Sequence, residues 1–422
     1  MPVFGCVADD FTGAGDAASF LVKGGLSVQL FSGIPSEGSR IAEGVQAVVI
    51  ALKSRTQKKD EAVRDTMEAF QWLKEKGVQQ FYFKYCSTFD STPEGNIGPV
   101  LDAAMEFLQV PCTVLCPALP VNGRVVQHGE LYVNGVPLQE SPMRNHPLTP
   151  MWDCGIARLM QPQSRYSCVE LWKEQMGQDE RAIWGWLSER SCGAEHYYII
   201  PDYQDDGDGA RIAELFGGLS LLSGGSGLLE PLARHISTQS RKGQAPDIRA
   251  AGAAILLAGS CSKATLGQIA YFQAHGGISY KIDPAALLED PGQVDEAWDF
   301  VEAHWGAPVL VYSSDTADNV KESQRLGQSR IADLLEQAAA ELAERAVSHG
   351  IRRVIVAGGE TSGAVTKRLG FSSYQIGQSV APGVPVMIPM ENPDIRLVLK
   401  SGNFGQEDFF ERVLAMTEME ED

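Results

Sequence analysis

Apolar runs of strand length alternate with segments of helix length throughout the chain. Strand-like runs occupy residues 3–8, 28–31 and 47–52, while residues 14–23 and the longer amphipathic stretch 60–76 have helical spacing. Regular alternation of this kind is typical of α/β proteins. We therefore predict an α/β fold with mostly parallel sheets flanked by helices.

One segment departs from this alternation of strands and helices. Residues 125–139 contain an Asn-Gly pair between two runs of alternating apolar and polar residues. This pattern predicts a β-hairpin inserted among the βα units. We expect the hairpin to lie over a site or an interface.

The chain is long enough for two domains. It has 422 residues, and residues 235–250 are polar and contain Gly and Pro, as is typical of a surface linker. We predict an N-terminal domain over residues 1–240 and a C-terminal domain over residues 250–415, with a boundary near residue 245 and an active-site cleft between them. The acidic C-terminal end is expected to fray.

The composition narrows the classes of function. Hydrophobic residues make up 44% and charged residues 21%, and no apolar run or basic leader predicts a membrane span or a signal peptide. We expect a soluble cytoplasmic protein. The net charge of −19 disfavours nucleic acid and membrane partners, so an anionic substrate would need a few cations placed in a cleft.

Several familiar sites are absent from the sequence. Its eight cysteines are too sparse for a disulfide framework, and neither they nor the seven histidines have the spacing of metal ligands. We therefore predict no metal held by the protein itself. The chain also lacks the P-loop signature and a GxGxxG turn after a first strand, which excludes P-loop enzymes and disfavours dinucleotide dehydrogenases.

The first candidate site follows the first predicted strand. In ADDFTGAGD, residues 8–16, two adjacent carboxylates precede a glycine-rich helix start. Ligands bind at this end of the strands in doubly wound sheets, and a helix start offers free N–H groups. Alternation along an extended chain predicts that Asp9 and Asp10 point in opposite directions. Alternatively, Asp9, Asp10 and Asp16 only cap the helix.

The second candidate site is a hydroxyl-rich loop after an aromatic strand. Lys84 ends that strand and can meet a carboxylate, while Ser87, Thr88 and Asp90 can bind substrate hydroxyls. Alternatively, the loop is a solvated turn that caps the next helix.

A third group lies between prolines in residues 140–150. It consists of Arg144, Asn145 and His146. Arg144 can bind a carboxylate through two parallel hydrogen bonds, and the prolines limit the freedom of the loop. His146 either contacts substrate or only holds the loop in place.

Three strand-like runs in the second half end in small, polar loops. The loop residues that we assign to nucleotide binding are Ser260, Gly358, Gly359, Glu360, Thr361, Ser362 and Gly402. Parallel strands place such loops along one edge, where backbone N–H groups and hydroxyls suit phosphates. By contrast, residues 224–227 are interpreted as an ordinary turn before a helix.

These motifs resemble those of the four-carbon acid sugar kinase family. The likeness rests on ADDFTGAGD at residues 8–16, KYCSTFDSTPEGNIG at 84–98 and GGETSGAV at 358–365, in family order and spacing. The loop SPMRNHPLTPM, residues 141–151, is similar to the 3-oxo-tetronate kinase branch rather than to the D-threonate and D-erythronate kinases, which remain the alternative.

The resemblance implies ATP-dependent phosphorylation of the terminal 4-hydroxyl of a four-carbon sugar acid, with Mg²⁺ arriving with ATP. It places Asp9, Asp10, Lys84, Asp90 and Arg144 in the sugar acid site, and Ser260, the 358–362 loop and Gly402 in the ATP site.

We predict that Asp10 is the general base, with Asp9 and Asp16 as alternatives. Residues 10–16, DFTGAGD, also resemble the ribokinase signature, in which the last Asp is the base. A ribokinase-like enzyme and a non-catalytic sugar-acid sensor are therefore further alternatives. Whether the chain forms a homo-oligomer is left open by the sequence.

Overall fold

The computed structural model describes residues 2–146, 148–237, 245–290, 292–314 and 328–419. The chain divides into two compact units, Met1–Gln244 and Ala245–Asp422. Part of the predicted linker, residues 238–244, and the last residues of the expected frayed end, 420–422, lie outside the described residues.

The first unit contains a five-stranded parallel sheet. Its strands are β1 (Phe4–Ala8), β2 (Val28–Ser32), β3 (Ala47–Ala51), β4 (Gln80–Lys84) and β11 (Leu221–Gly224). They pair in the order β11–β4–β1–β3–β2. All five residues of β1 are buried, which explains why this central strand is a continuous apolar run.

Eight α-helices accompany this sheet in the described part of the first unit. They are α1 (Phe11–Lys23), α2 (Lys59–Glu75), α3 (Ile97–Leu108), α4 (Ile156–Met160), α5 (Lys173–Met176), α6 (Glu180–Arg190), α7 (Asp206–Phe216) and α8 (Leu229–Ser237). In α2, Ala62, Thr66, Ala69 and Leu73 are buried at spacings of three and four residues, so the predicted amphipathic stretch forms a helix with one buried face.

Two small sheets complete the first unit. One is parallel, in the order β5 (Cys112–Val114), β10 (Tyr197–Pro201) and β9 (Ser167–Leu171), and the other is antiparallel, with β6 (Arg124–Gln127), β7 (Glu130–Val133) and β8 (Val136–Pro137).

The predicted single hairpin over residues 125–139 is therefore wrong in its strand count. The segment has two turns, at His128-Gly129 and at Asn134-Gly135, and all four residues have positive φ. Only the second pair carries the usual Asn-Gly signal of a tight hairpin, so sequence reasoning missed the first turn.

The second unit contains a seven-stranded mixed sheet. Its strands are β12 (Ala254–Ala258), β13 (Ile278–Lys281), β14 (Val309–Tyr312), β15 (Arg353–Ala357), β16 (Ser373–Ala381), β17 (Val384–Pro389) and β18 (Arg396–Lys400). Strands β13–β14–β12–β15–β18 are parallel, and β17 and β16 extend the sheet in antiparallel fashion.

The helices of the second unit, in its described part, are α9 (Lys263–Ala274), α10 (Pro284–Glu289), α11 (Gln293–Ala303), α12 (Gln328–Ser348), α13 (Gly359–Leu369) and α14 (Phe409–Thr417). Phe409 and Phe410 of α14 belong to a buried core with Leu256, Ile355 and Val398 of the central strands. The prediction of an α/β fold with mostly parallel sheets flanked by helices is confirmed. In the part of the chain that the structure describes, no helix combines the length and the apolar character needed to cross a bilayer.

Candidate active site

Strand register gathers the first group of polar residues. Ala8 pairs with Ala51 of β3 on one side and with Lys84 of β4 on the other. The residues just beyond these three strand ends, or at them, are therefore neighbours: Asp9 and Asp10 after β1, Arg55 after β3, and Lys84 itself. Sequence reasoning placed Asp9, Asp10 and Lys84 at this edge but missed Arg55.

The Arg55 guanidinium is the centre of the cluster. Its Nε and Nη2 atoms donate to Oδ2 and Oδ1 of Asp9 over 2.9 and 2.8 Å. Nη2 also donates to Oδ1 of Asp10 over 2.7 Å, and Nη1 lies 3.4 Å from Oδ2 of Asp90. One planar fork therefore links three carboxylates, a geometry available to arginine but not to lysine.

This arrangement corrects one prediction. Asp9 and Asp10 do not direct their carboxylates to opposite sides, because both bind the same nitrogen of Arg55. The backbone turns from β1 into α1 at these residues, so strict strand alternation no longer applies. Asp10 occupies the position before the helix, but its side chain makes no capping hydrogen bond.

Asn96 holds the segment that carries Arg55. Its Nδ2 atom donates to the carbonyl oxygens of Ser54 over 2.7 Å and Gln57 over 2.9 Å, and lies 3.3 Å from that of Arg55. The Arg55 backbone N–H also donates to the carbonyl of Asp9. Asn96 belongs to the 84–98 motif but was not predicted to have this role.

Lys84 supplies the second cation of the cluster. Its side chain is buried and its Nζ atom lies 3.7 Å from Oδ1 of Asp10. Burial acts to lower the pKa of Lys84, but Asp10 and Asp9 outweigh it and the pKa is raised. The ammonium is therefore already partnered within the protein.

The two adjacent aspartates differ in electrostatics. Burial raises the pKa of Asp9 although Arg55 opposes this effect. Burial acts in the same direction on Asp10, but Lys84 and Arg55 together lower its pKa. Of the three carboxylates around Arg55, Asp10 is also the most exposed, with 31% of its side chain accessible against 6% for Asp9 and 9% for Asp90. Asp10 is thus the ionised carboxylate that a ligand can reach.

The hydroxyl-rich loop joins the cluster through Asp90. Phe89 and Asp90 both have left-handed backbone, with φ of 63° and 53°, which turns the Asp90 carboxylate toward Arg55. Ser87 is half-buried and Thr88 is buried, with Thr88 Oγ1 lying 3.1 Å from Cys86 Sγ. The described contacts do not join Ser87 or Thr88 to the carboxylates.

The proline-flanked loop contributes one of its three predicted residues to the cluster. His146 Nδ1 lies 3.6 Å from Asp90 Oδ1 and 2.8 Å from the hydroxyl of Thr149, which in turn donates to Asp90. Arg144 and Asn145 lie on a short 3₁₀ helix, Pro142–Asn145, and are exposed. Within the described residues neither side chain has a hydrogen bond or ion pair.

Asp16 is buried in the first part of α1. Its Oδ2 atom accepts a hydrogen bond from Ser226 Oγ, whereas Oδ1 is buried without a hydrogen-bond partner among the described residues. Burial raises its pKa. Ser226 belongs to the glycine turn at 224–227, which was interpreted as a mere helix start, so this contact was missed as well.

A second group of residues lies in the second unit, at the ends of three adjacent strands. Ala258, Ala357 and Lys400 are in register across β12, β15 and β18. The N–H groups of Gly259 and Ser260 donate to the Ala357 carbonyl, and that of Gly358 donates to the Lys400 carbonyl. The predicted gathering of the three loops at one sheet edge is thus observed.

Small residues are needed where these loops meet. A Cβ atom at Gly402 would overlap Ser260 Oγ, and one at Gly259 would overlap Thr361 Oγ1. Gly358 has φ of 143°, a backbone conformation that favours glycine. Gly359 and Glu360 are exposed at the start of α13, while Thr361 and Ser362 are buried. The Ser362 hydroxyl has no hydrogen-bond partner among the described residues.

In the described ranges, no group of three or more His, Cys, Asp or Glu side chains is placed to hold a metal ion. The carboxylates of the first cluster are instead paired with Arg55 and Lys84.

Both halves of the chain match known domain families. Residues 4–232 match the sugar-binding N-terminal domain family, and residues 255–410 match the nucleotide-binding C-terminal domain family. The class of protein is therefore one that combines a sugar-binding half with a nucleotide-binding half.

Full-length relatives are more specific. A curated 3-oxo-tetronate kinase from Burkholderia multivorans is 42% identical, covering 98% of this chain and 97% of its own length; one from Cupriavidus necator is 41% identical, covering 98% and 96%. The crystal structure of a Haemophilus influenzae protein matches with a TM-score of 0.85 at 38% identity, covering 98% of this chain and 99% of its own. The chain belongs to the 3-oxo-tetronate kinase branch of the four-carbon acid sugar kinase family, which confirms the resemblance seen in its motifs.

Proposed function

We propose that this protein is an ATP-dependent kinase that phosphorylates the 4-hydroxyl of 3-oxo-tetronate. The observation that supports this most directly is the full-length similarity to curated 3-oxo-tetronate kinases. The polar cluster around Arg55 lies in the half that matches a sugar-binding domain, and the three glycine loops lie in the half that matches a nucleotide-binding domain. A kinase needs both kinds of site, whereas a sugar-acid sensor needs only the first.

The charges in the first unit indicate how a sugar acid would bind. Arg55 and Lys84 are already paired with Asp9, Asp10 and Asp90, so carboxylates of the protein itself neutralise these two cations. The substrate carboxylate needs another cation. We assign that role to Arg144, the exposed arginine of the neighbouring loop, whose fork can hold a carboxylate through two hydrogen bonds.

The remaining polar groups of this half suit the hydroxyl and keto oxygens of the acid. Asp90 and His146 are held together through Thr149 and can accept from or donate to these oxygens. We retain Ser87, Thr88 and Asn145 as further substrate contacts, since they lie on the same two loops.

Asp10 is our candidate for the general base. It is ionised and the most accessible of the three carboxylates, and Arg55 and Lys84 fix its orientation. Phosphoryl transfer through a loose transition state needs positioning more than strong base assistance. A carboxylate of low pKa can still orient the hydroxyl and take its proton late in the reaction.

The loops of the second unit suit the phosphates of ATP. Gly402, Gly358 and Gly259 keep side chains out of the space where the loops meet, and the buried Ser362 hydroxyl lacks a partner in the described residues. Ser260, the 358–362 segment and Gly402 are the proposed contacts. Mg²⁺ would arrive with ATP, held chiefly by phosphate oxygens and water, and would neutralise phosphate charge.

The test is a comparison of kcat/KM for ATP-dependent phosphorylation of 3-oxo-tetronate, D-threonate and D-erythronate by the full-length protein. We expect 3-oxo-tetronate to be phosphorylated far faster than the other two. A preference for D-threonate or D-erythronate would overturn the substrate assignment but keep the kinase. Absence of phosphorylation of all three acids would overturn both.

A further inference from the structure

A buried ammonium group lies beneath the glycine loops of the second unit. Lys400 is the last residue of β18, and only 1% of its surface is accessible. No carboxylate in the described part of the chain forms an ion pair with it. The desolvation of an unpaired charge is costly, and an apolar side chain of similar length would fill this space without that cost.

All three protons of the Lys400 ammonium meet neutral oxygen acceptors. Nζ lies 2.9 Å from Thr265 Oγ1, 3.2 Å from the Gly402 carbonyl oxygen and 3.3 Å from that of Ser401. The Phe409 ring lies beneath it, with its centroid 5.7 Å from Nζ. Two loop carbonyls and one hydroxyl are thus positioned to accept from the three donors of the ammonium.

The Gly402 carbonyl is the point on which these contacts converge. It accepts from Ser262 Oγ over 2.6 Å and from Thr265 Oγ1 over 2.9 Å, in addition to Lys400. Ser262 also caps α9 by accepting from the Thr265 N–H. Lys400 therefore fixes the loop after β18 against the loop after β12.

We propose that Lys400 is a positioning residue for the phosphates of the bound nucleotide. It sets the direction of the peptide groups around Gly402, and it places an unneutralised positive charge under the loops that receive the anion. Because its side chain is buried, it acts through the loops and not by direct contact. This role presupposes the nucleotide-binding function proposed above.

Burial also changes the pKa of the Lys400 ammonium. It lowers the pKa of Lys400 to about 8. A polyphosphate bound above the loops would favour the protonated form, so nucleotide binding and proton uptake by Lys400 are expected to be coupled.

Other titratable groups on the surrounding elements do not neutralise Lys400, since burial accounts for its shift. Those on α9, α13, α14 and the adjoining loops are Cys261, Lys263, Tyr271, His275, Glu360, Lys367, Arg368, Glu407, Asp408, Glu411 and Arg412.

The test is calorimetric titration of the full-length protein with a non-hydrolysable ATP analogue and Mg²⁺, comparing wild type with Lys400→Met and Lys400→Arg. We expect Lys400→Met to raise the Kd roughly tenfold or more at neutral pH, as a charge close to the phosphates should. Lys400→Arg should recover part of the affinity, because it restores a cation.

The pH dependence distinguishes positioning from general stabilisation. Wild-type affinity should fall between about pH 7 and about pH 9.5, and binding near pH 8 should take up a fraction of a proton, measured in two buffers of different ionisation enthalpy. Lys400→Met should show neither effect. Arg353→Met is the matched control, since Arg353 is a buried cation at the opposite end of neighbouring β15.

The outcomes separate the two proposals. If wild type does not bind the analogue, the nucleotide-binding function itself fails. If wild type binds and Lys400→Met binds equally well, or Arg353→Met loses as much affinity with the same pH dependence, the role of Lys400 is overturned. If Lys400→Met does not fold, the proton uptake and pH profile of wild type against Lys400→Arg still decide, because arginine stays protonated throughout this range.

Discussion

Arg55 Nη2 donates to Asp10 Oδ1 over 2.7 Å, although the two residues are 45 positions apart and follow different strands. The contact exists because β1 and β3 are neighbours in parallel register. It orients the carboxylate that we propose as the general base and, together with Lys84, lowers the pKa of that carboxylate. The predictions below test this cluster and the loops of the second unit.

Asp10→Asn should reduce kcat by roughly 10²-fold or more while the protein remains folded, because an amide cannot accept the hydroxyl proton. Steady-state kinetics with 3-oxo-tetronate and ATP, together with circular dichroism, would measure both effects. Asp60→Asn, an exposed carboxylate on α2, is the control and should leave kcat unchanged. Activity of Asp10→Asn within a few fold of wild type would show that Asp10 is not the base.

The pH profile separates Asp10 from the two alternative bases, Asp9 and Asp16. The pKa of Asp10 is lowered from 3.8, so if Asp10 is the base, kcat should show no acidic limb between about pH 5 and 8. Burial raises the pKa values of both Asp9 and Asp16, so an acidic limb within that range would point to one of these two carboxylates instead.

Arg55→Ala should lower the free energy of unfolding by about 3 kcal/mol, because it leaves buried carboxylates without their partner. Arg55→Lys should recover only part of this, since a point charge cannot replace the fork. Urea unfolding would measure the difference, with Arg64→Ala on the surface of α2 as the control, expected within about 0.5 kcal/mol of wild type.

The pH dependence of the Arg55→Ala effect has a definite sign. A carboxylate of lowered pKa stabilises the folded state above its unfolded pKa, and this contribution is lost as the pH falls through the folded pKa. The part of the Arg55→Ala loss that comes from Asp10 should therefore be full at neutral pH and shrink below the ordinary value of 3.8. A loss that grows on acidification would contradict this electrostatic account.

Gly13→Ala should disrupt the site, whereas Gly15→Ala in the same helix should not. A Cβ atom at Gly13 would overlap Lys84 Nζ and Asp10 Oδ1, while one at Gly15 meets nothing within 4 Å. We expect Gly13→Ala to lower kcat/KM roughly tenfold or more, since a small displacement of a catalytic group is costly. Gly15→Ala should retain activity and gain about 0.5–1 kcal/mol in stability from helix propensity. Equal activity of the two variants would show that the contact between Lys84 and Asp10 is unimportant.

Gly359→Val should raise the KM for ATP roughly tenfold without changing the KM for the sugar acid, because its side chain would fill space that we assign to phosphates. The fold should tolerate it, as a Cβ atom at Gly359 has no neighbour within 4 Å. Gly363→Val, one turn further along α13 and equally open, is the matched control. If both variants behave alike, or both substrates are affected equally, this loop does not bind ATP.

Arg144→Ala should raise the KM for 3-oxo-tetronate roughly tenfold, and Arg144→Lys should also weaken binding, since one ammonium does not replace two parallel hydrogen bonds. The KM for ATP should stay within twofold. Arg181→Ala, an exposed arginine on α6, should change neither value. An unchanged KM for the acid in Arg144→Ala would remove Arg144 from the site.

The sequence predicted those residues of the candidate sites that short patterns at strand ends reveal. A buried run ending in carboxylates or glycines marks a strand end, so Asp9, Lys84 and the loops at Ser260, Gly358 and Gly402 could be located from the chain alone. The gathering of those three loops followed from the general geometry of parallel strands.

What the sequence did not predict depends on contacts between distant segments. Arg55 follows an apolar run and precedes a surface helix, with no motif around it, and its role emerges only from the register of β1 and β3. Its presence after a predicted strand was the one available signal. The convergence of Asp9 and Asp10 was missed for the same reason, since it needs a shared partner.

The burial of Lys400 was not predicted, because the side chain of a lysine at the end of a strand is usually exposed to solvent. Its burial is decided by Phe409 and Thr265, which approach it from helices more than 100 residues apart in sequence. Residues 224–227 were likewise interpreted as a local turn, and only the fold brings Ser226 to Asp16.

The division of labour among strands bears on how such an enzyme can diversify. The proposed sugar-acid cluster lies at the ends of β1, β3 and β4, whereas the proposed nucleotide loops lie at the ends of β12, β15 and β18, so none of these six strands serves both. Mutations that retune the choice of acceptor can therefore accumulate in one half of the chain while the machinery for the phosphoryl donor is inherited unchanged. Related enzymes with this organisation can change their sugar-acid specificity while they keep the same ATP-binding loops.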